Sequence, residues 1–355
     1  MTKRTALLVG SMPFHDEPTA MALALEHLGE HLMTLPDGEI GERTEACPGG
    51  SRSAWVQAII DRCEADADNW TVVRRARRNT DGYPADYESG PKLKPKHRPR
   101  DMADHLDFGW AAAARQSYPE FVRLRREAGL DDLRFQVGLP TGLGATFGMM
   151  SPPAALRYAG AFSRRMAQEA NEILGFVEPG DVVFQVEVPG ELALAHRLPK
   201  PLIGLAVRGV IGLVDQIEPG APVGVHLCFG DLNNKALIKP SSLDKAVRFA
   251  NALVARWPTS HELAWVHFPL AEAVDPPPLE RRYYEPLADL HVPSGTRFVA
   301  GFVHPRRTED ELRTIRSHIE AIRGSEVDIA SSCGLGRVDE ETALRVLRVT
   351  SDLTN

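Results

Sequence analysis

Short apolar runs alternate with amphipathic helical patterns along most of this 355-residue chain. Each apolar run is followed by a segment in which apolar residues recur at helical spacing. Alternating strand and helix patterns are typical of a parallel sheet, and eight such pairs fit a closed (β/α)8 barrel, the TIM barrel, better than an open sheet. We therefore predict a single α/β barrel domain over residues 1–355. The strands are expected at residues 7–10, 32–35, 134–139, 182–188, 223–228, 263–268, 298–304 and 327–331.

The glycine pattern argues against an open dinucleotide-binding sheet. Such sheets usually carry a Gly-x-Gly-x-x-Gly turn after the first strand. This chain has that pattern after none of its predicted strands, and residues 140–144, which come closest, lack the third glycine. Residues 80–106 are rich in Pro, Gly, Tyr and charged residues. They are expected to form a long loop inserted into the barrel, and a loop of that length is usually functional or mobile.

Composition and charge are those of an ordinary globular chain, with 43% hydrophobic residues, 25% charged residues and a net charge of -7. A mildly acidic chain has no general electrostatic footprint for nucleic acid, so no such partner is expected. No apolar run approaches the roughly 18 residues of a membrane span, so we expect no membrane partner and a cytoplasmic location. Four cysteines are too few for a disulfide framework and are available for metal binding or catalysis.

Polar or metal-binding side chains stand at or just after the end of every predicted strand. In a TIM barrel the active site lies at the carboxyl ends of the strands, so these residues are candidates for one shared site. The candidates, in chain order, are Ser11, Asp37, Glu39, Thr141, Glu187, His226, Cys228, His267, His304 and Cys333.

The pair His226 and Cys228 points most specifically to a function. Residues i and i+2 of a strand face the same side, so both side chains are expected to point into the barrel. Imidazole and thiolate are good zinc ligands, and Cys333 and His267 stand at other strand ends of the same closed barrel. The alternative is that His226 and Cys228 are inward-facing core residues and that Cys333 is unrelated to them.

Five segments resemble the catalytic barrel of the cobalamin-independent methionine synthases, which belong to a wider superfamily that includes uroporphyrinogen decarboxylase. The resemblance covers residues 5 to about 350, in the same order. His-x-Cys followed by Cys-Gly-Leu is fairly specific, whereas the other segments are weak singly. The segments are Val-Gly-Ser-Met-Pro (9–13), Phe-Gln-Val-Glu-Val-Pro (184–189), His-Leu-Cys (226–228), Gly-Phe-Val-His-Pro (301–305) and Ser-Cys-Gly-Leu (332–335).

The resemblance implies a zinc ion held by His226, Cys228 and Cys333. His267 stands where that family has a glutamate as a further ligand, and we expect His267 to take its place. Glu187 replaces a family aspartate and Val188 the glutamate after it; these acidic groups hold homocysteine in the family, so a different acceptor is implied. The long synthases carry a second barrel, so this chain resembles a divergent single-barrel member.

The function implied is methyl transfer from a small-molecule donor to a small-molecule thiol acceptor that zinc activates. We expect His304 to protonate the leaving group and Glu187 to be a second catalytic residue. Ser11 and Thr141, together with Asp37 and Glu39 from the loop after the second strand, are expected to bind substrate. The basic residues 92–100 are expected either to hold an anionic donor or to face solvent.

Two other functions remain open at this level. The first is a decarboxylase, or a lyase or demethylase that cleaves C–S or C–O bonds, of the same superfamily. Uroporphyrinogen decarboxylases lack the His-x-Cys and Cys-Gly-Leu pair, which argues against that branch. The second is a non-catalytic barrel that binds zinc or a ligand. The oligomeric state cannot be read from the sequence.

Overall fold

The computed structural model describes residues 3–45, 47–80, 82–272 and 274–354. Eight strands form one parallel sheet and two others form an antiparallel hairpin. In chain order the strands are β1 (Ala6–Leu7), β2 (Leu35–Pro36), β3 (Trp70–Arg74), β4 (Lys92–Pro95), β5 (Phe135–Pro140), β6 (Val182–Glu187), β7 (Val223–His226), β8 (Leu263–Pro269), β9 (Arg297–Val303) and β10 (Asp328–Ser331).

The parallel sheet has the strand order β1-β10-β9-β8-β7-β6-β5-β2 and closes on itself. The closing seam between β1 and β2 is short: Leu32 forms a parallel bridge with Ala6, and the Met33 N–H donates to the Ala6 carbonyl at 2.9 Å. Side chains cross near the seam, because the Gln136 amide donates to the carbonyls of Leu8 and Val9 at 2.9 and 3.0 Å. The prediction of a (β/α)8 barrel is confirmed.

Ten α-helices in the described residues surround this sheet. The helix at Glu309–Arg323 begins with a capping box between Thr308 and Glu311. None of these helices is both long and apolar enough to cross a membrane. The helices are α1 (Glu17–Leu28), α2 (Trp55–Ala65), α3 (Trp110–Glu127), α4 (Gly142–Met149), α5 (Pro152–Leu174), α6 (Pro189–Arg197), α7 (Arg208–Val214), α8 (Asp244–Val254), α9 (Glu309–Arg323) and α10 (Glu340–Thr354).

Side chains fill the interior of the barrel, as expected for a barrel of eight strands. One buried layer takes Leu7, Val183, Trp265, Val299 and Ala330 from five different strands. The indole of Trp265 fits because β7 offers Gly224 beside it: a Cβ on Gly224 would lie 2.0 Å from the ring. The packed interior restricts the chemistry to the rim.

The inserted segment is more ordered than its composition predicts. Residues 80–106 were expected to be a loop, but Lys92–Pro95 form β4, which pairs antiparallel with β3 in the register Trp70 to Pro95. The alternating sequence of β4 buries Leu93 and leaves Lys94 exposed. A 3-10 turn at Met102–His105 follows. The basic stretch is therefore partly a strand of a hairpin and not a free loop.

Candidate metal centre and active site

Three ligand atoms from two strand ends converge at the rim. His226 is the last residue of β7, Cys228 follows it by two, and Cys333 lies just beyond β10. The Sγ atoms of Cys228 and Cys333 are 3.8 Å apart, and the Cys333 Sγ is 3.8 Å from the His226 Nε2. A tetrahedral zinc with bonds of about 2.3 Å to sulfur and about 2.0 Å to nitrogen separates its ligand atoms by about 3.5 to 3.8 Å. The donor types and these two distances therefore fit zinc, and all three ligand atoms lie within 4.8 Å of one another.

The two thiols are placed so that they favour a cation between them. Cys228 Sγ accepts a hydrogen bond from the Gly230 N–H at 3.3 Å, and Gly230 has a φ of +84°, which glycine adopts without strain. The Cys228 thiol and burial together raise the pKa of the Cys333 thiol. Two buried thiolates this close repel one another, and a bound divalent ion would remove that penalty.

His267 lies behind His226 and is not one of the three converging residues. Its Nε2 must donate to the Ser331 carbonyl at 3.0 Å, because a carbonyl oxygen can only accept. Its Nδ1 then accepts from the Nδ1–H of His226 at 2.7 Å, and this leaves the His226 Nε2 with a free lone pair facing Cys333. In this arrangement both ring nitrogens of His267 have hydrogen-bond partners, so it supports His226 from behind, and direct ligation by His267 stays a prediction.

Two carboxylates, those of Glu39 and Glu187, lie close to each other beside β5. Gly138 of β5 has no side chain, and the place of its missing Cβ is 2.6 Å from Glu39 Oε1 and 3.1 Å from Glu187 Oε1. Burial, followed by the charge of Asp37, raises the pKa of Glu39 to about 7. Burial, followed by the charge of Glu39, also raises the pKa of Glu187. The two groups are therefore suited to hold a proton or to face a cationic substrate group.

Asp37, which is predicted to bind substrate, accepts several hydrogen bonds from groups of the protein, and its role toward a substrate stays a prediction. It accepts from the Arg52 guanidinium at 3.0 and 3.2 Å, from the Ser117 hydroxyl at 2.7 Å and from the Glu39 N–H at 2.9 Å. Burial alone would raise the pKa of Asp37, but Arg52 outweighs it and the net effect is a lowered pKa. These hydrogen bonds hold the carboxylate in place within the protein.

Thr141, another residue predicted to bind substrate, is hydrogen-bonded inside the protein. Its Oγ1 donates to Glu191 Oε2 at 2.8 Å and accepts from the Gly144 N–H at 3.2 Å, so it caps α4 from a fully buried position. The substrate contact of Thr141 stays a prediction.

The roles expected for Ser11 and His304 stay predictions. Ser11 lies against the loop that carries Cys333: its carbonyl accepts from the Leu335 N–H at 2.7 Å, and a Cβ on Gly334 would lie 2.3 Å from its Oγ. His304 is buried, and its Nδ1 accepts from the Arg306 N–H at 3.1 Å. In its neutral form His304 therefore carries its proton on Nε2.

Hydrogen bonds that join the loops after β7 and β10 to each other and to the insertion were not predicted from the sequence. The loop after β7 is held to the insertion by Tyr87, whose hydroxyl accepts from the Leu232 N–H at 3.1 Å and donates to the Lys235 carbonyl at 2.9 Å. It is held to the loop after β10 by Asn234, which donates to the Arg337 carbonyl at 2.7 Å. The sequence signal for these contacts between loops was the polar, tyrosine-containing composition of the insertion.

Comparison with known proteins supports the fold. The structure is similar to a solved B12-independent methionine synthase from Shewanella sp. W3-18-1 in complex with selenomethionine, with a TM-score of 0.54 over 99% of this chain and 98% of that one, at 12% identity. A putative vitamin-B12 independent methionine synthase from Listeria monocytogenes matches 65% of this chain and 66% of its own at a TM-score of 0.39 and 12% identity, too distant to argue from. No family model and no curated protein matches the sequence.

Proposed function

We propose that this protein is a zinc-dependent methyltransferase that transfers a methyl group to a thiol. The observation that carries the proposal is the convergence of His226, Cys228 and Cys333 at the rim of the barrel. Three protein ligands leave one position of a tetrahedral ion for a substrate, which is the pattern of catalytic rather than structural zinc. The similarity to the Shewanella methionine synthase fold is consistent with this function.

Bound zinc would lower the pKa of a coordinated substrate thiol and so supply a thiolate at neutral pH. The substrate sulfur then attacks the methyl carbon, and a sulfur–carbon bond forms as the bond between the methyl carbon and its N, O or S carrier breaks. The electron pair of the broken bond stays on the carrier atom. In this proposal His304, once protonated to the imidazolium, donates the proton that neutralises that atom and returns to its neutral form.

The residues around the ligands have positioning roles in the proposal. His267 fixes the tautomer of His226, so that the Nε2 lone pair is available without loss of a proton. Glu39 and Glu187 face the same rim and are proposed to hold a positively charged group of a substrate, such as an ammonium or a methylated amine. Ser11 is proposed to contact substrate beside Cys333.

Metal content tests the proposal directly. Zinc would be measured by mass spectrometry in purified wild-type protein and in Cys228→Ser, Cys333→Ser and Cys63→Ser. About one zinc per chain is expected in the wild type and in C63S, a matched control because Cys63 is buried in α2 outside the cluster. Loss of zinc is expected in the other two variants. Equal zinc in all four proteins, or none in any, would overturn the proposal.

A second candidate is a decarboxylase or lyase of the same barrel type. The paired carboxylates Glu39 and Glu187, with Arg337 nearby, favour it, because acid–base chemistry at such a pair needs no metal. Turnover that persists in C333S after zinc has been lost would support this second candidate against the first.

A further inference from the structure

Arg337 lies at the rim, four residues after Cys333, and several loops hold it there. Its Nη1 donates to the Ser53 carbonyl at 2.6 Å, and its guanidinium carbon is 5.3 Å from the centre of the Tyr83 ring. The Tyr83 hydroxyl in turn hydrogen-bonds to Ser53 Oγ at 2.5 Å. The Arg337 backbone is fixed as well, because Asn234 donates to its carbonyl. The guanidinium is therefore positioned by three separate segments of the chain.

The charge of Arg337 acts on the candidate site and is not neutralised by direct contact. Among the described residues no carboxylate oxygen lies within ion-pair distance of its guanidinium, which distinguishes it from Arg52, the ion-pair partner of Asp37. Burial alone would lower the pKa of Arg337, but the charges of Asp231, Cys333 and Glu39 contribute to raising it. The side chain is half-buried, so part of it faces the rim and not the core.

We propose that Arg337 binds an anionic group of the acceptor thiol, so that the preferred acceptor carries a carboxylate or a similar anion a few bonds away from its sulfur. A guanidinium offers several N–H donors in a planar fork that matches a carboxylate. Only one of those donors is used by Ser53. This inference rests on the proposed function, because it takes the thiol sulfur to be bound at the cluster of His226, Cys228 and Cys333.

The acceptor is favoured over the methyl donor because of the chain distance between Arg337 and the ligand Cys333. The intervening glycines, Gly334 and Gly336, both pack against Ser11, which keeps this short segment close to the rim. In this proposal, a molecule whose sulfur is bound at the cluster extends toward the guanidinium. The donor must approach that sulfur from outside and is less constrained by this segment.

Two short thiols that differ in charge test the inference. Binding of 3-mercaptopropionate and of 3-mercapto-1-propanol to zinc-loaded protein would be measured by calorimetry at one ionic strength. The wild type should bind the carboxylate thiol at least about ten-fold more tightly than the alcohol, because a hydrogen bond to a charged group contributes a free energy of that size. Arg337→Gln should bring the ratio close to one by weakening only the carboxylate thiol, and Arg337→Lys should restore part of it.

The control and the contrary outcomes separate this inference from the proposed function. Arg282→Gln, at an exposed arginine of another loop, should keep the wild-type ratio and zinc content. Equal binding of both thiols by zinc-loaded wild type would overturn the role of Arg337 and leave the proposed function standing. Equal weakening of both thiols in R337Q would show that Arg337 only supports the loop. Absence of zinc, or of any thiol binding, would overturn the proposed function and the inference together.

Discussion

Two groups of polar side chains at the barrel rim differ in how their hydrogen-bonding capacity is satisfied. At the ends of β7 and β10, the Cys333 Sγ lies 3.8 Å from both the Cys228 Sγ and the His226 Nε2. After β2, Asp37 is enclosed by the Arg52 guanidinium, the Ser117 hydroxyl and a backbone N–H. Both groups were predicted from the same rule, that a polar residue stands at the end of a strand.

The difference shows that position at a strand end is not enough to identify a site residue. A buried polar group must have hydrogen-bond partners, and most find them inside the protein. The ligand atoms of His226, Cys228 and Cys333 are distinctive because, among the described residues, no positively charged side chain forms a hydrogen bond with them. Asp37, in contrast, accepts from the Arg52 guanidinium and from two further groups. A site residue is therefore better recognised by ligand atoms that lack partners within the protein than by its position at a strand end.

The largest expected effect is a loss of stability when the buried ion pair between Asp37 and Arg52 is broken. Asp37→Ala would leave the Arg52 charge without its main partner, and removing one member of a buried ion pair costs about 3 to 5 kcal/mol. The free energy of unfolding would be measured by urea denaturation, with Asp101→Ala, at an exposed ion pair, as a control that should change by less than about 1 kcal/mol. Zinc content should stay at the wild-type value. A variant with unchanged stability but without zinc would show that Asp37 affects the cluster of His226, Cys228 and Cys333.

Glu191, the hydrogen-bond partner of Thr141, should give the stability of the protein a pH dependence. Burial raises the pKa of Glu191 to about 7, whereas the same carboxyl titrates near its ordinary value of 4.5 when the chain is unfolded. The native state therefore holds a proton that the unfolded state has lost, so this group lowers the free energy of unfolding as pH rises from about 4.5 to about 7. The full difference is about 3 kcal/mol.

Glu191→Gln tests this dependence, because glutamine resembles the protonated acid. The variant should match the wild type in urea denaturation at pH 4.5 and exceed it at pH 8. Glu285→Gln, at an exposed glutamate, should follow the wild type at both pH values. If E191Q and the wild type keep the same difference at both pH values, Glu191 has an ordinary pKa.

The smallest expected effect concerns the support behind the metal ligands. His267→Leu removes the acceptor for the Nδ1–H of His226, and loss of such an outer partner typically weakens metal binding by about 10 to 100-fold. Zinc affinity would be measured by competition with a chromophoric chelator, and His267→Gln, which can again accept from His226, should recover part of it. The matched control is His291→Leu at an exposed histidine. Complete loss of zinc in H267L would instead favour direct ligation.

The main elements of the barrel and its ligand trio follow from local sequence rules. The alternation of apolar runs and helical patterns predicts the eight strands, and the spacing of His226 and Cys228 predicts that they share a face. Cys333 was placed near them because a closed barrel brings all strand ends to one rim. Each of these inferences needs only the period of a strand and the topology of the fold.

The partners of the site residues could not be predicted in that way. Whether His267 ligates or supports depends on the carbonyl of Ser331, 64 residues away, and Asp37 is paired with Ser117, 80 residues away. The hairpin within the insertion depends on a strand pairing in which Trp70 lies opposite Pro95, and no local sequence pattern predicts this pairing. Contacts at such separations are decided by the packing of the whole chain.

The closing seam of the barrel has a consequence for its motions. Strands β1 and β2 have only two residues each, so backbone bonds across the seam are few, and Gln136 holds the two sides together with its side chain. Local opening is expected to begin there, with the Met33 amide exchanging with solvent deuterium sooner than the amides of β6 and β8. Ser11 and Glu39 lie just beyond these strands. The rim can therefore loosen beside the candidate site while the ligand trio on β7 and β10 stays in place.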